Sequence, residues 1–389
     1  MKKIVLIALL GATTSLMALG AEHAYLYKDP RIMGMGGTNI AVGGYSTSIF
    51  SNPAGLSSIK KEEGFVVDIF SLGVSTSSQT QEFISDLDNA GDDTTQIEAV
   101  LQKYSGDAFN VSVNNYSAIS KNSDFFAWSI GILAAADVNY IVHANGSANG
   151  AALEVAGRTY AGVVIGASKD FHTSIGEFDI GFGAKFITQK SYEGPVYTSD
   201  LTQDNALENL QNKYEKTASG IAGDLGLIYK PFGTDSFWNP AFGMSLLNVG
   251  SMSMDDNYGG QPMTVNLGAS ITPEVSFLSK LVLAVDYVDV MNASKTRVYT
   301  YAADIVTYED YSESDPMKRL RLGAVFGLVD TSLFLLTLKA GLYNTSYTAG
   351  VDMAFSVLKL NLATYEEQIG TGEADIPDRR YMVQIAIGW

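Results

Sequence analysis

The segment Lys318–Phe355, KRLRLGAVFGLVDTSLFLLTLKAGLYNTSYTAGVDMAF, sorts its side chains by parity. Leu320, Leu322, Ala324, Phe326 and Leu328 are apolar, while Arg319, Arg321 and Gly323 between them are charged or small. After a break at Val329–Ser332, Phe334, Leu336, Leu338, Ala340 and Leu342 take one face and Thr337, Lys339 and Gly341 the other. Beyond Asn344–Ser346, Tyr347, Ala349, Val351, Met353 and Phe355 face away from Thr348, Gly350 and Asp352. A period of two places successive side chains on opposite faces of a strand. The segment therefore reads as three antiparallel strands joined by short turns.

A soluble sandwich shows the same alternation, so the ends of the chain decide where such a sheet sits. Lys2 and Lys3 followed by the apolar run Ile4–Leu16 and the small residues around Gly20 read as a secretory signal peptide, residues 1–20. The chain holds 25 Lys and Arg against 42 Asp and Glu, a net charge of −17, and −19 once Lys2 and Lys3 leave with the leader. A balance so acidic argues against nucleic acid as a partner. Without cysteine there is neither a disulfide framework, a lipoprotein anchor nor a thiol nucleophile. After the leader no apolar run approaches the length of about 20 residues that a spanning helix needs. Yet the chain ends Tyr381-Met-Val-Gln-Ile-Ala-Ile-Gly-Trp389, apolar on one face and mostly polar or small on the other. That segment resembles the terminal strand of bacterial outer-membrane barrels, which implies the barrel-assembly machinery as a partner through the C-terminal strand.

Between these ends, alternation marks about fourteen strands, and one consequence follows for their connections. If directions alternate, the long segments Gly73–Asp107, Ala144–Gly157, Tyr192–Thr217, Gly250–Met263, Asn292–Met317 and Glu366–Asp378 all fall at one end. Outer-membrane barrels have long outer loops and short periplasmic turns. Phe83, Ile84, Leu87 and later Ile97, Val100, Leu101 recur at helical spacing, predicting short helices in the first loop. The expected fold is all-β: a transmembrane antiparallel barrel of about fourteen strands over residues 63–389, its lumen occupied by an N-terminal plug over residues 21–62.

The plug segment is irregular. Arg31–Thr38 carries Gly34, Gly36 and Gly37, and Asn52, Pro53, Ala54, Gly55 and Leu56 follow. Pro53 fixes its own φ and holds Asn52 extended, while the glycines permit tight turns. The run from Arg31 to Leu56 resembles the plug of the long-chain fatty acid transporter (FadL) superfamily of outer-membrane barrels. Its Met-Gly-Met-Gly-Gly half is nearer the TraF-like plasmid-transfer and PorV-like branches. That resemblance implies passage of hydrophobic, fatty-acid-like small molecules across the cell outer membrane. For the other branches it implies an envelope protein acting in conjugal transfer or secretion through protein partners.

Catalytic apparatus is sparse. His23, His143 and His172 have no metal-ligand spacing, and no nucleophile elbow is present. Neither an enzyme activity nor a cofactor nor a metal is expected. In-strand charges are more informative: Asp179, Lys185, Asp224, Asp286, Arg319, Arg321, Lys339, Asp352 and Lys359 all lie opposite the apolar stripe. In a barrel they would line the lumen and pair with each other or with the plug. Clustered carboxylates in the loops would suit divalent cations shared with lipopolysaccharide, beside the lipid that the apolar stripe implies.

Overall fold

The computed structural model describes residues 25–91, 93–142, 151–197, 209, 214–233, 236–254, 259–302, 305–331, 333–369 and 376–388. The leader, Glu22, His23, His143 and Trp389 lie outside them. The strands are β1 (Phe65–Ser77), β2 (Ala108–Asn122), β3 (Ala127–Val142), β4 (Ala151–Thr173), β5 (Gly176–Tyr197), β6 (Lys216–Lys230), β7 (Ala241–Gly250) and β8 (Thr264–Ile271). They continue with β9 (Lys280–Tyr287), β10 (Thr296–Ala302), β11 (Ile305–Tyr311), β12 (Leu320–Asp330), β13 (Phe334–Tyr343), β14 (Ser346–Phe355), β15 (Leu358–Ile369) and β16 (Ile376–Gly388). All but β10 and β11 close into one barrel of fourteen strands, β9 pairing with β12 and β1 with β16, every pair antiparallel. No helix among the described residues is long and apolar enough to cross a membrane.

The alternation that defines the strands also orients them. On β12–β14 the exposed positions include Leu322, Leu328, Leu338, Leu342, Tyr347 and Phe355, while Arg321, Lys339, Thr348 and Asp352 are buried inside. The β13–β14 turn needs only Asn344 and Thr345, both at positive φ (48° and 66°), as a primed two-residue hairpin requires. Six short connections gather at one end, here the turn end, while the β13–β14 turn lies with the longer ones at the other, the loop end.

Some loop-end expectations change. Within Ala144–Gly157, expected as loop, the described part is strand: β4 begins at Ala151 and runs 23 residues, and β5 continues to Tyr197. Asp137, within β3, lies opposite Arg158 of β4 and pairs with it at 3.4 Å. Asn292–Met317 carries the hairpin β10–β11. The two expected helices form as α2 (Thr80–Ala90) and α3 (Thr94–Lys103), after a short first helix α1 (Pro30–Met33) in the N-terminal segment. Asp93 caps α3 through the amides of Thr95 and Gln96. Phe83 of α2 stacks on Phe109 of β2 at 4.7 Å, and with Leu101 and Tyr104 it buries outward-facing Val138, Tyr140, Val155 and Tyr192. The helix pair therefore covers the outer face of β2–β5 where these strands rise above the rest of the wall.

Residues 25–62 fill the turn-end half of the lumen, and the wall is thinned to receive them. A Cβ placed on Gly181, Gly226, Gly243, Gly323, Gly341 or Gly350 would fall on plug atoms, mostly backbone. These glycines come from β5, β6, β7, β12, β13 and β14, so six strands admit plug backbone at side-chain distance. A larger residue there has no flexible neighbour to displace. Gly323→Val should cost about 1–3 kcal/mol as an overpacked site. It should lower Tm and expose residues 25–62 to protease while strand content by circular dichroism stays unchanged. Gly223→Val, whose added Cβ meets nothing nearer than 3.9 Å, should leave both readouts near wild type.

Candidate functional site

The plug is fastened by groups that satisfy its irregular backbone. Asp29 caps α1, accepting from the Arg31 amide at 2.9 Å, with Pro30 at the first helical position. The motif glycines follow: Gly36 and Gly37 adopt φ of 72° and 76°. Thr348 of β14 accepts from the Gly36 amide at 2.9 Å and donates to the Gly34 carbonyl at 3.1 Å. Asn52, extended at φ −158°, accepts from the Ala54 amide and donates to the carbonyls of Ile40 (2.7 Å) and Leu227 (3.1 Å). Pro53 opens the 3-10 turn that follows and, with Ala54, is buried. Asn52 thus ties two parts of the plug to β6 with one amide group.

Three inward carboxylates, Asp286, Asp224 and Asp68, hold backbone amides, a hydroxyl or cations. Asp286 of β9 accepts from the amides of Asn39 (2.7 Å) and Ile40 (2.9 Å), holding the plug where β9 offers no glycine contact. Asp224 accepts from the Asn248 amide at 2.8 Å, where the β6–β7 register shifts, and pairs with Lys185 at 3.0 Å. Asp68 of β1 takes the Ser46 hydroxyl at 3.0 Å and pairs with Lys359 of β15 at 2.7 Å. Lys339 pairs with Asp352 and donates to the Arg31 carbonyl at 2.8 Å. Asp179 lies apart, paired with Lys230 at 2.8 Å near the turns.

Above the plug a cavity of about 170 Å³ remains. Its floor is the plug, with Leu26, Ile32, Met33 and Phe50; Leu247 and Val288 contribute from the wall side, and Gln261 and Pro262 enter from the β7–β8 connection. Tyr160 donates to the Gly259 carbonyl, and Met252 and Met254 are fully buried, so this connection folds into the barrel. Three of the charges singled out in the sequence, Lys185, Arg319 and Arg321, line the same space. Arg321 is only 8% exposed, donates to the Tyr25 hydroxyl at 2.7 Å, and has no carboxylate within 4 Å among the described residues. Its Nε has no partner. The cavity is therefore largely apolar, with both cations and the carboxylates Asp29 and Asp289 in its lining. Nothing in it resembles a catalytic constellation, and no cluster of metal-ligating side chains occurs among the described residues.

Sequence reasoning misses most of the aromatic and polar groups that frame this space. Tyr25 meets Arg321 and Tyr343, Tyr27 accepts from Gln384, and Lys28 pairs with Glu367 at 2.7 Å. None of these carries a local signature, since each pair is more than 290 residues apart except by folding. Asp29-Pro30 is the exception: an Asx cap before proline is readable as a helix start.

Asp29 is fully buried, which alone would raise its pKa, but the adjoining Arg31 guanidinium and the bonds from Arg31 and Thr47 hold it below the ordinary aspartate range. A carboxylate whose folded pKa is depressed stabilises fully above its unfolded value, about 3.9, and loses that contribution as pH falls toward the folded one. Asp29→Asn should therefore lower Tm at neutral pH. It should also flatten the acid side of the Tm-versus-pH curve below about pH 4, measured by scanning calorimetry in detergent.

No protein-family model matches the sequence, and no curated protein does. Solved structures do. The TodX deltaS2S3 mutant monoaromatic hydrocarbon channel superposes with a TM-score of 0.54 at 10% identity, over 93% of this chain and 98% of that one. The Ralstonia pickettii toluene transporter TbuX gives 0.52 at 12% identity, over 93% and 97%. The TodX deltaS2 mutant channel gives 0.52 at 13%, over 95% and 98%. None of the three is a TraF-like or PorV-like protein. The chain thus has the barrel fold of FadL-family outer-membrane channels.

Proposed function

We propose that this protein is an outer-membrane channel for hydrophobic small molecules. The observation that carries the reading is the plug-floored cavity, largely apolar, whose lining also holds Arg321, a cation with no carboxylate within 4 Å among the described residues. Its size supports a ring-sized occupant, since an apolar cavity of about 150 Å³ in an unrelated protein admits benzene. The hydrocarbons named for the structural neighbours are of that size. Arg321 adds a finer expectation: an amphipathic acid, fatty-acid-like, with its carboxylate on the guanidinium and its chain over Leu26, Ile32 and Phe50.

The plug itself supports a division of labour. From Gly34 to Ala54 its backbone rests on wall glycines, whereas Tyr25–Lys28 is held through side chains to Arg321, Gln384 and Glu367. A ligand that competes for Arg321 displaces the second part without lifting the first.

The reading is tested by uptake of a labelled monoaromatic and a labelled fatty acid in a deletion strain complemented with wild type or Arg321→Ala. Wild type should restore uptake and fractionate with outer membranes as a heat-modifiable band. Arg321→Ala should weaken binding of the acid by about 1.5–3 kcal/mol, roughly ten- to a hundredfold, and leave the neutral ring unaffected. Uptake of both compounds that is indifferent to the deletion, with a partner protein recovered by crosslinking, would instead favour an envelope role in secretion or conjugation.

A further inference from the structure

Most charged side chains that line the cavity are settled among themselves. Lys185 pairs with Asp224 at 3.0 Å, Lys318 with Glu313 at 2.8 Å, Lys28 with Glu367 at 2.7 Å and Asp29 with Arg31 at 2.8 Å. Asp289 accepts from the amides of Ala293 (2.9 Å) and Ser294 (2.7 Å), and Arg319, partly exposed, donates to the Asp289 carbonyl at 3.1 Å. Arg321 is the buried exception. Within 4 Å, among the described residues, it donates only to neutral oxygens, the Tyr25 hydroxyl at 2.7 Å and the Gly37 carbonyl at 3.4 Å, and its guanidinium stands 4.8 Å over the Tyr343 ring.

The reason lies across the sheet. Asp286 is directly opposite Arg321 on β9, where a carboxylate would ordinarily pair with it. One Asp286 oxygen instead takes the plug amides of Asn39 and Ile40, and the other lies against Gly268. Glu367 is screened from Arg321 by two phenols: the Tyr25 and Tyr343 hydroxyls are 3.2 Å apart, and Tyr343 donates to Glu367 at 3.0 Å. A buried charge compensated only by dipoles is costly, and a guanidinium fork is shaped to give a carboxylate two parallel bonds. Tyr25 shows what fits there, since it lines the same cavity and sets the oxygen of an aromatic ring on that fork. A ring bearing a carboxylate would repeat the contact with a full charge. Size points the same way. The space of about 170 Å³ is close to the ~150 Å³ apolar cavity that admits benzene, whereas a long-chain fatty acid carries more than twice the carbon atoms of benzoate.

We infer that the cavity selects small aromatic monocarboxylates, of the size of benzoate, over neutral rings and over long-chain acids. Arg321 is the carboxylate's partner, and Tyr25 is the built-in competitor that the carboxylate replaces. The inference rests on the channel reading above and narrows it to one class of ligand.

Isothermal titration calorimetry of the full chain in detergent tests it, with benzoate, toluene and hexadecanoate added to wild type, Tyr25→Phe and Arg321→Gln. Wild type should bind benzoate about ten- to a hundredfold more tightly than toluene, the difference a bond to a charged group makes. Tyr25→Phe should tighten benzoate by about three- to tenfold, because no phenol then competes for the guanidinium. Arg321→Gln should erase the preference for benzoate over toluene. Toluene bound as tightly as benzoate, hexadecanoate bound more tightly than benzoate, or a benzoate affinity indifferent to either substitution overturns the inference and leaves the channel reading intact. Binding of none of the three by wild type that runs as a folded, heat-modifiable barrel overturns both. Should Arg321→Gln not fold, Arg321→Lys serves in its place: it keeps the charge, lacks the fork, and should weaken benzoate by about tenfold.

Discussion

Closure of β1 onto β16 is the constraint on which the rest depends. A sheet that must present one apolar face to its surroundings cannot leave an edge of unpaired amides and carbonyls, and a barrel has none. Here the closing ladder runs from Asp68 opposite Gly388 to Ser77 opposite Arg380, with a shift between Ile69 and Leu72 where Phe70 takes φ 51°. The ladder is interrupted, and side chains bridge across it. Lys359 of β15 reaches past β16 to Asp68, and Arg380 of β16 reaches past β1 and β2 to Asn139 of β3 at 2.8 Å. The Arg380 bridge is buried and the Lys359 bridge partly so, where a bond to a charged group contributes more than at the surface.

The inside of the barrel is packed in part by apolar clusters between plug and wall, Ile49 with Tyr116, Leu133 and Val164, and Met35 with Val282 and Val325. The rest of its inward face is polar, and the plug brings an irregular backbone whose amides and carbonyls need partners of their own. The two requirements are met together. Asp286, Thr348, Asn52 and Lys339 spend hydrogen-bonding capacity on plug backbone, while cation pairing is handled by Lys185 with Asp224 and Lys359 with Asp68. Buried ion pairs of this sort are weak evidence of stability, yet removing one partner costs about 3–5 kcal/mol because the other is left buried and bare. The lumen is therefore specified more sharply than it is stabilised: few alternative seatings of the plug would satisfy the same groups.

Parity carried much of this information. Leu320–Leu328, Phe334–Leu342 and Tyr347–Phe355 alternate cleanly because one face of each meets apolar surroundings and the other the lumen, and the fourteen barrel strands follow from the same pattern. It fades where strands leave the apolar band: Lys190, Ser191, Tyr192 and Glu193 still pair in β5 but show no oily stripe, and β10–β11 is rich in Thr and Tyr. The inward charges were legible as a set, whereas their partners were not. Arg321 meets Tyr25 across 296 residues, and only closure of the barrel brings them together.

Unequal strand length then explains where the cavity lies. β3, β4 and β5 run 16, 23 and 22 residues, while β7, β8 and β9 run 10, 8 and 8. About 9–11 residues suffice to cross a bilayer obliquely, so one side of the wall overshoots and the other barely reaches. On the tall side the overshoot leaves outward aromatics in water, and α2 and α3 cover them. On the low side the loops after β7 and β9 have no wall to lean on. They close over the lumen instead, burying Met252 and Met254 and carrying Gln261 and Arg319 above the plug. Arg319 thus stands over the cavity because the strands beneath it stop early.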